Sequence, residues 1–202
     1  MNRDFTNFNH WLNVLLGDDY GQPPDAGHTA MIAEVGEGWI SKMSTCKSVL
    51  DVGCGATAVA DAIFIPRGIK YTGITLDKDA EIAQSMKKNV LKMDMSFMDF
   101  PDESFDLVWC RHTLEHSPFP LLTLFEFYRV SRAWLCVIVP SPIHYGRTGL
   151  NHYSVLYPDQ WEFLMERAGW NIMWRDFSND TEYRFMAEKK REKYEFKNVW
   201  SK

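Results

Sequence analysis

Two short stretches carry residue types that could do chemistry. The first is Cys110-Arg111-His112-Thr113-Leu114-Glu115-His116. Within it, His112, Glu115 and His116 fit His-x-x-Glu-His, a pattern that on one helical turn supplies two zinc ligands and a general base. The same residues could instead form the rim of a cleft where a strand turns into a loop. The second stretch is Leu50-Asp51-Val52-Gly53-Cys54-Gly55-Ala56-Thr57-Ala58. Gly53 and Gly55 allow a sharp bend and a close approach of backbone to ligand. Gly53-x-Gly55-x-x-Ala58 also satisfies the dinucleotide fingerprint of a strand-to-helix turn. A helix starting near Ala56 would offer its free N–H groups to an anion. Asp51 discriminates, because a carboxylate two residues before the first glycine suits a cation or a donor and sits poorly beside a pyrophosphate.

The elements that must position these residues alternate along the chain. Residues 47–53 form a short apolar run ending in glycine, as a buried parallel strand should. Residues 69–76 are rich in β-branched and aromatic side chains, which predicts a second strand. The helix between them starts within "ATAVADAIF". "DKDAEIAQSMKKN" places acids at its start and lysines at its end, in accord with the helix dipole. Short strands follow in "NVLKMD" and over 104–110, then a helix in "PLLTLFEFYRVSR" and a central strand in "AWLCVIVP". "YPDQWEFLMERAG" begins with proline and ends with glycine, both helix-boundary signals. "WNIMWRDF" and "EYRFMAEKK" flank "SNDT" and read as a closing hairpin. The expected fold is therefore α/β, an open, mostly parallel sheet with helices on both faces and a C-terminal antiparallel hairpin. One domain spans 1–202, with N-terminal helices or a cap over 1–45, a core over 46–190 and a tail over 191–202. In the cap, Phe5, Phe8, Trp11, Leu12, Leu15 and Leu16 follow helical spacing, and a second helix is expected from about Thr29 to Met43.

In such sheets a ligand sits beyond the carboxyl ends of the strands, beside the first one. That places the glycine turn in the site. It also leaves the His-x-x-Glu-His stretch only a single turn, since the fourth strand ends near Cys110 and Pro118 and Pro120 follow at once. No metal ligand set is expected there.

Lys and Arg number 22 and Asp and Glu 27, a net charge of −5 that argues against a polyanionic partner. Lys189-Lys190-Arg191 reads as a solvated strand end. The four cysteines, Cys46, Cys54, Cys110 and Cys136, contain no Cys-x-x-Cys pair, which fits reduced thiols in the cytoplasm. The N-terminus lacks the pattern of a signal peptide, and the longest apolar run is too short to span a bilayer. A soluble protein without nucleic-acid or membrane partners is expected.

With these motifs in place, the chain resembles the class I, seven-strand, Rossmann-like S-adenosylmethionine-dependent methyltransferases, in particular the small-molecule branch typified by quinone-biosynthesis enzymes. "VLDVGCG" is similar to the family's first motif, and "DMSFMDFPDESFDLVWCRHTLEH" to its adenine motif and the loop to strand four. The resemblance covers roughly 47 to 190. It implies that Asp51 and the backbone of Gly53, Cys54 and Gly55 hold the amino-acid end of the cofactor. It implies further that Asp94 and the Met95 backbone meet the adenine, and that Cys110 and Arg111 lie along the methionine part. Two positions depart from the family. Thr57 stands where glycine is usual. Thr75 stands where an acid usually chelates the ribose hydroxyls, with Leu76 and then Asp77 following.

Methyl transfer needs chiefly orientation, with a base only for a protonated acceptor. Residues 141–157 form a polar-aromatic loop in place for a substrate cap. His112, His152 and Tyr153 are the candidate catalytic residues; His116, His144, Tyr145 and Arg147 are the candidate acceptor contacts. Cys54 and Cys110 are expected at the cofactor rim, Leu114 in the core. The product would be S-adenosylhomocysteine. Two other classes remain: a methyltransferase-like module that binds cofactor weakly, kept open by Thr75, and an NAD(P)-dependent oxidoreductase, which explains the glycines but not Asp51.

Overall fold

The computed structural model describes residues 36, 38–55, 57–145, 152–178 and 180–190. Seven strands form one sheet: β1 (Ser48–Val52), β2 (Lys70–Thr75), β3 (Val90–Lys92), β4 (Phe105–Arg111), β5 (Ser131–Pro140), β6 (Trp170–Asp176) and β7 (Glu182–Lys189). Their order is β3-β2-β1-β4-β5-β7-β6. The first five pair with one another in parallel, and β7 runs antiparallel between β5 and β6. The chain leaves β1 towards β2 and β3, then returns on the other side as β4. A crevice therefore opens at the carboxyl ends of β1 and β4.

Alternation along the strands divides the core into two layers. In β4, Phe105, Val108 and Cys110 face one cluster, while Leu107 and Trp109 face the other. In β5, Leu135, Val137 and Val139 join the first, Cys136 and Ile138 the second. Both faces are covered, which is why these strands read as unbroken apolar runs. Helix α1 (Asp77–Ser85) follows β2, and α2 (Pro120–Val130) links β4 to β5. Helices α3 (Pro142–Tyr145) and α4 (Pro158–Arg167) lie between β5 and β6. Leu124, Phe127 and Val130 of α2 pack with Trp161 and Met165 of α4 on the first layer. Each fully buried side chain of this kind contributes about 1.5–3 kcal/mol. On the second layer Trp39 lies against Trp109 with ring centroids 5.6 Å apart and against Trp174 at 5.3 Å.

Three expectations change. The segment after the glycine turn is not a regular α-helix from Ala56: helical residues begin at Ala58, then pass into a π-helical turn at Ala60–Phe64 and a 3-10 turn at Ile65–Arg67. Pro66 forbids a continuing ladder there. Lys189 is not a solvated end, since its Nζ lies 3.0 Å from Glu103 Oε1 and 4.5 Å from the Tyr128 ring centroid. Cys110 is displaced from the site, for the reason given below. The helix expected at Phe5 to Leu16, most of the one at 29–43 and the tail beyond 190 lie outside the described residues; residues 38–42 are helical.

Candidate active site

The turn after β1 is built from left-handed backbone. Gly53 has φ of 70° and Gly55 of 48°, which glycine adopts without strain. Gly53 and Cys54 N–H both donate to Ile74 O of β2, at 2.8 and 3.1 Å, which fixes the turn on its neighbouring strand. A Cβ on Gly53 would run into Thr113, the residue that turns the chain out of β4. A Cβ on Gly55 would meet nothing within 4 Å among the described residues. One glycine therefore lets the β1 and β4 ends close together, and the other has no described neighbour on its Cβ side.

Asp51 lies near the end of β1, two residues before that turn. Its Oδ2 accepts from the Tyr71 hydroxyl at 2.9 Å, and the residue is only 3% exposed. Burial pushes its pKa up to about 7, although the Tyr71 hydrogen bond and the Arg111 charge pull the other way. A cation placed against it would favour the ionised form. Tyr71 reaches Asp51 because Gly73 lies between: a Cβ on Gly73 would sit 2.7 Å from the Tyr71 hydroxyl and 2.6 Å from Cys54 Sγ. The sequence reading passed over Tyr71, and its one signal was the glycine two residues on, opposite Asp51 in the β1–β2 register.

Strand parity decides which end-of-β4 residue shares a face with Asp51. Asp51 pairs with Trp109 and Val52 with Cys110. Beyond the irregularity between Phe105 and Leu107, the odd positions Leu107, Trp109 and Arg111 thus share the Asp51 face. Cys110 points to the opposite layer, fully buried, with its thiol pKa raised well above the ordinary value by burial and the nearby carboxyls of Glu115 and Asp51. It cannot present its side chain to the cleft. Cys54 stays half-buried on the turn.

The other cofactor candidates line the ends of β2 and β3. Thr75 closes β2, half-buried, and accepts from Met93 N through its backbone oxygen at 3.1 Å. Leu76 is the residue before α1 in extended conformation, and Asp77 is the first residue of that helix. The side chain of Asp77 lies outside the described set. Asp94 is buried and its Oδ1 accepts from Ser96 N at 2.8 Å, bracing the loop after β3. Met95 packs into the core beside it.

Beyond β4, the His-x-x-Glu-His residues do not share a helix. His112 has φ of 46° and only Leu114–His116 form a turn, of the 3-10 kind. Leu114 enters the core as expected, with no exposed surface. His112 swings away to Glu182 of β7, with Nε2 and Oε2 2.9 Å apart. Glu182 also accepts from Arg184 at 2.8 Å and 3.1 Å. Burial would raise the Glu182 pKa, but these hydrogen bonds and the Arg111 charge bring it down to about 2. An ionised carboxylate only accepts, so Nε2 of His112 carries a proton and Nδ1 is the basic atom of the neutral ring. Nδ1 lies 4.0 Å from Glu115 Oε1. Neither Glu182 nor Arg184 stood out in the sequence, because strand residues far along the chain give no local signal of meeting His112.

The described part of the cap loop comes back over this turn. Ser154 N donates to Glu115 O at 2.9 Å, and Ser154 Oγ to Ser117 O at 2.8 Å. That pins His152 against His116, ring centroids 4.8 Å apart, with half-buried Tyr153 beside it. Burial and then the charge of His112 lower the His152 pKa, so this ring is neutral at neutral pH. The structure thus gathers His112, His116 and His152 at one rim. Arg147 and the side chains of His144 and Tyr145 lie outside the described residues. Among those described, no helix is long and apolar enough to cross a membrane.

Comparison with known proteins gives a consistent kinship. Residues 50–133 match the family described as "Methyltransferase domain". The chain is similar to ubiquinone biosynthesis O-methyltransferase from Paracidovorax citrulli, 35% identical over 94 residues, or 41% of this chain and 39% of that protein. It is similar as well to a probable chloroplastic tocopherol O-methyltransferase from Oryza sativa subsp. japonica, 30% identical over 111 residues, or 48% of this chain and 30% of that protein. The chain thus spans less than two fifths of the length of either relative. Among solved structures, a SAM-dependent methyltransferase from Archaeoglobus fulgidus has the same fold, with a TM-score of 0.65 and 19% identity over 80% of this chain and 94% of that one.

Proposed function

We propose that this chain is a class I S-adenosylmethionine-dependent methyltransferase and transfers a methyl group from that cofactor to a small-molecule acceptor. One observation carries the reading: the left-handed turn at Gly53 and Gly55, with no described residue within 4 Å of a Cβ on Gly55, follows directly on the buried carboxylate of Asp51. A carboxylate at that position suits an ammonium group and not a pyrophosphate. The O-methyltransferase relatives and the acidic chain support a small acceptor with an oxygen nucleophile. The four free cysteines fit a reducing, cytoplasmic setting.

Asp51 and the backbone of Gly53, Cys54 and Gly55 would hold the amino-acid end of the cofactor. Thr75, Leu76 and Asp77 would meet the ribose, and Asp94 with the Met95 backbone the adenine. Arg111 balances the carboxylates of Asp51, Glu115 and Glu182 at the strand end. The cofactor supplies the activated methyl group. The chain's own part is orientation and proton removal. His112 is the candidate for the latter: Glu182 holds its ring at the rim, with Nε2 and Oε2 2.9 Å apart.

Calorimetry on the full chain tests this. One equivalent of S-adenosylhomocysteine should bind, NAD should not, and Asp51→Asn should weaken binding at least ~10-fold, the loss of one charge-assisted contact. Failure of both S-adenosylmethionine and S-adenosylhomocysteine to bind would sink the proposal. Thr75 favours a second reading, a module that binds without turnover, since one hydroxyl accepts less than a carboxylate does. Binding with no methyl transfer to any phenolic or catecholic acceptor would favour it.

A further inference from the structure

We infer a divalent-metal site formed by Glu115, His116 and His152. One ligand atom from each lies within 4.8 Å of the others. The set is not the His-x-x-Glu-His triad of the sequence, because His112 is held away on Glu182 and His152 takes its place from the cap loop. Two imidazoles and one carboxylate are the donors of open zinc sites, which keep a further position for water or an oxygen ligand. They suit zinc and its first-row neighbours better than magnesium or calcium, which take oxygen ligands.

Two features show a built site. Glu115 is 1% exposed, and its Oε2 has no hydrogen-bond partner among the described residues. His152 Nδ1 is likewise buried without a partner. A buried carboxylate oxygen left unpaired costs about 1–3 kcal/mol, which a coordinated cation would remove. The geometry is also held in advance. Ser154 ties the cap loop to Glu115 O and Ser117 O, so the loop that brings His152 is fixed to the turn that carries the other two ligands. Zinc–nitrogen and zinc–oxygen distances of about 2.0–2.2 Å require the three groups to draw in by about 1 Å. His116 and His152 are both partly exposed rings that can make that movement. Arg111 is the cation that would oppose a metal here, and its charge is offset by Asp51 and Glu182 as well as Glu115. Bound to the metal, His152 is a ligand and not a base, which leaves proton removal to His112.

The test uses the full chain stripped with chelator, then titrated with zinc followed by metal analysis, and with cobalt followed by visible absorption. One zinc per chain should bind, and cobalt should give ligand-field bands without thiolate charge transfer. His152→Ala and the isosteric Glu115→Gln should each weaken zinc binding at least ~10-fold, while both keep the wild-type circular dichroism without metal. Wild-type melting should rise with zinc and that of His152→Ala should not. Absence of stoichiometric zinc, equal affinity in wild type and both variants, or a cobalt–thiolate band would each overturn the site. S-adenosylhomocysteine binding by the same stripped protein reads the methyl-transfer proposal separately, so either can fail alone.

Discussion

Thr57 offers a direct test of how strain is distributed around the glycine turn. It has φ of 67°, a conformation that a β-branched residue rarely takes. It is also 0% exposed, and its hydroxyl has no hydrogen-bond partner among the described residues. The left-handed backbone costs about 1–2 kcal/mol relative to glycine. The unpaired buried hydroxyl costs about 1–3 kcal/mol more. Against this, Thr57→Gly loses the burial of Cβ and its methyl group, about 1.6 kcal/mol, and gains unfolded-state freedom of about 0.5–1 kcal/mol. The small void left behind lowers the gain further. The net expectation is stabilisation by about 1 kcal/mol, or a melting temperature about 2–4 °C higher for a domain of this size. Thr57→Val separates the causes, since it keeps the strain and the shape and removes only the hydroxyl; it should gain about 1–3 kcal/mol over wild type and match or exceed Thr57→Gly. Thermal melts and urea titration read both. A Thr57→Gly protein that melts below wild type refutes the strain argument.

Two further outcomes follow from the residues around the same turn. Asp51 has a folded pKa of about 7 against an ordinary 3.8, so the folded protein holds a proton that the unfolded chain releases between those values. Stability of the unliganded protein should therefore fall as pH rises through that window, and S-adenosylhomocysteine affinity should rise with pH up to about 7 and level off. Glu115, raised to about 8 by burial, shifts stability in the same sense, so Asp51→Asn isolates the Asp51 part. An affinity that is flat with pH in the wild type removes Asp51 from the role of ammonium anchor. For the thiols, Cys54 should react with a maleimide and be shielded by S-adenosylhomocysteine, while Cys110 and Cys136, buried with strongly raised pKa values, should react only on unfolding. Equal labelling of Cys54 with and without the ligand would count against its place beside the cofactor.

The sequence by itself determined the alternation of strands and helices, because hydrophobic runs and their glycine and proline boundaries are local signals. Asp51, Gly53 and Gly55 were legible for the same reason: a carboxylate and two glycines in one short turn have few other uses. The single turn at Leu114–His116 was legible from Pro118 and Pro120. What the tertiary structure alone decided were the relations across strands. Parity in the β1–β4 register turns Arg111 towards Asp51 and Cys110 into the core, and no local pattern states that register. Tyr71 reaches Asp51 only because β2 lies beside β1 with Gly73 between them. Glu182 meets His112 from 70 residues away because β7 pairs with β5 and not with β4. His152 joins Glu115 and His116 because Ser154 hydrogen-bonds the turn. These contacts depend on how strands are ordered and how loops close, and a sequence read along its length fixes neither.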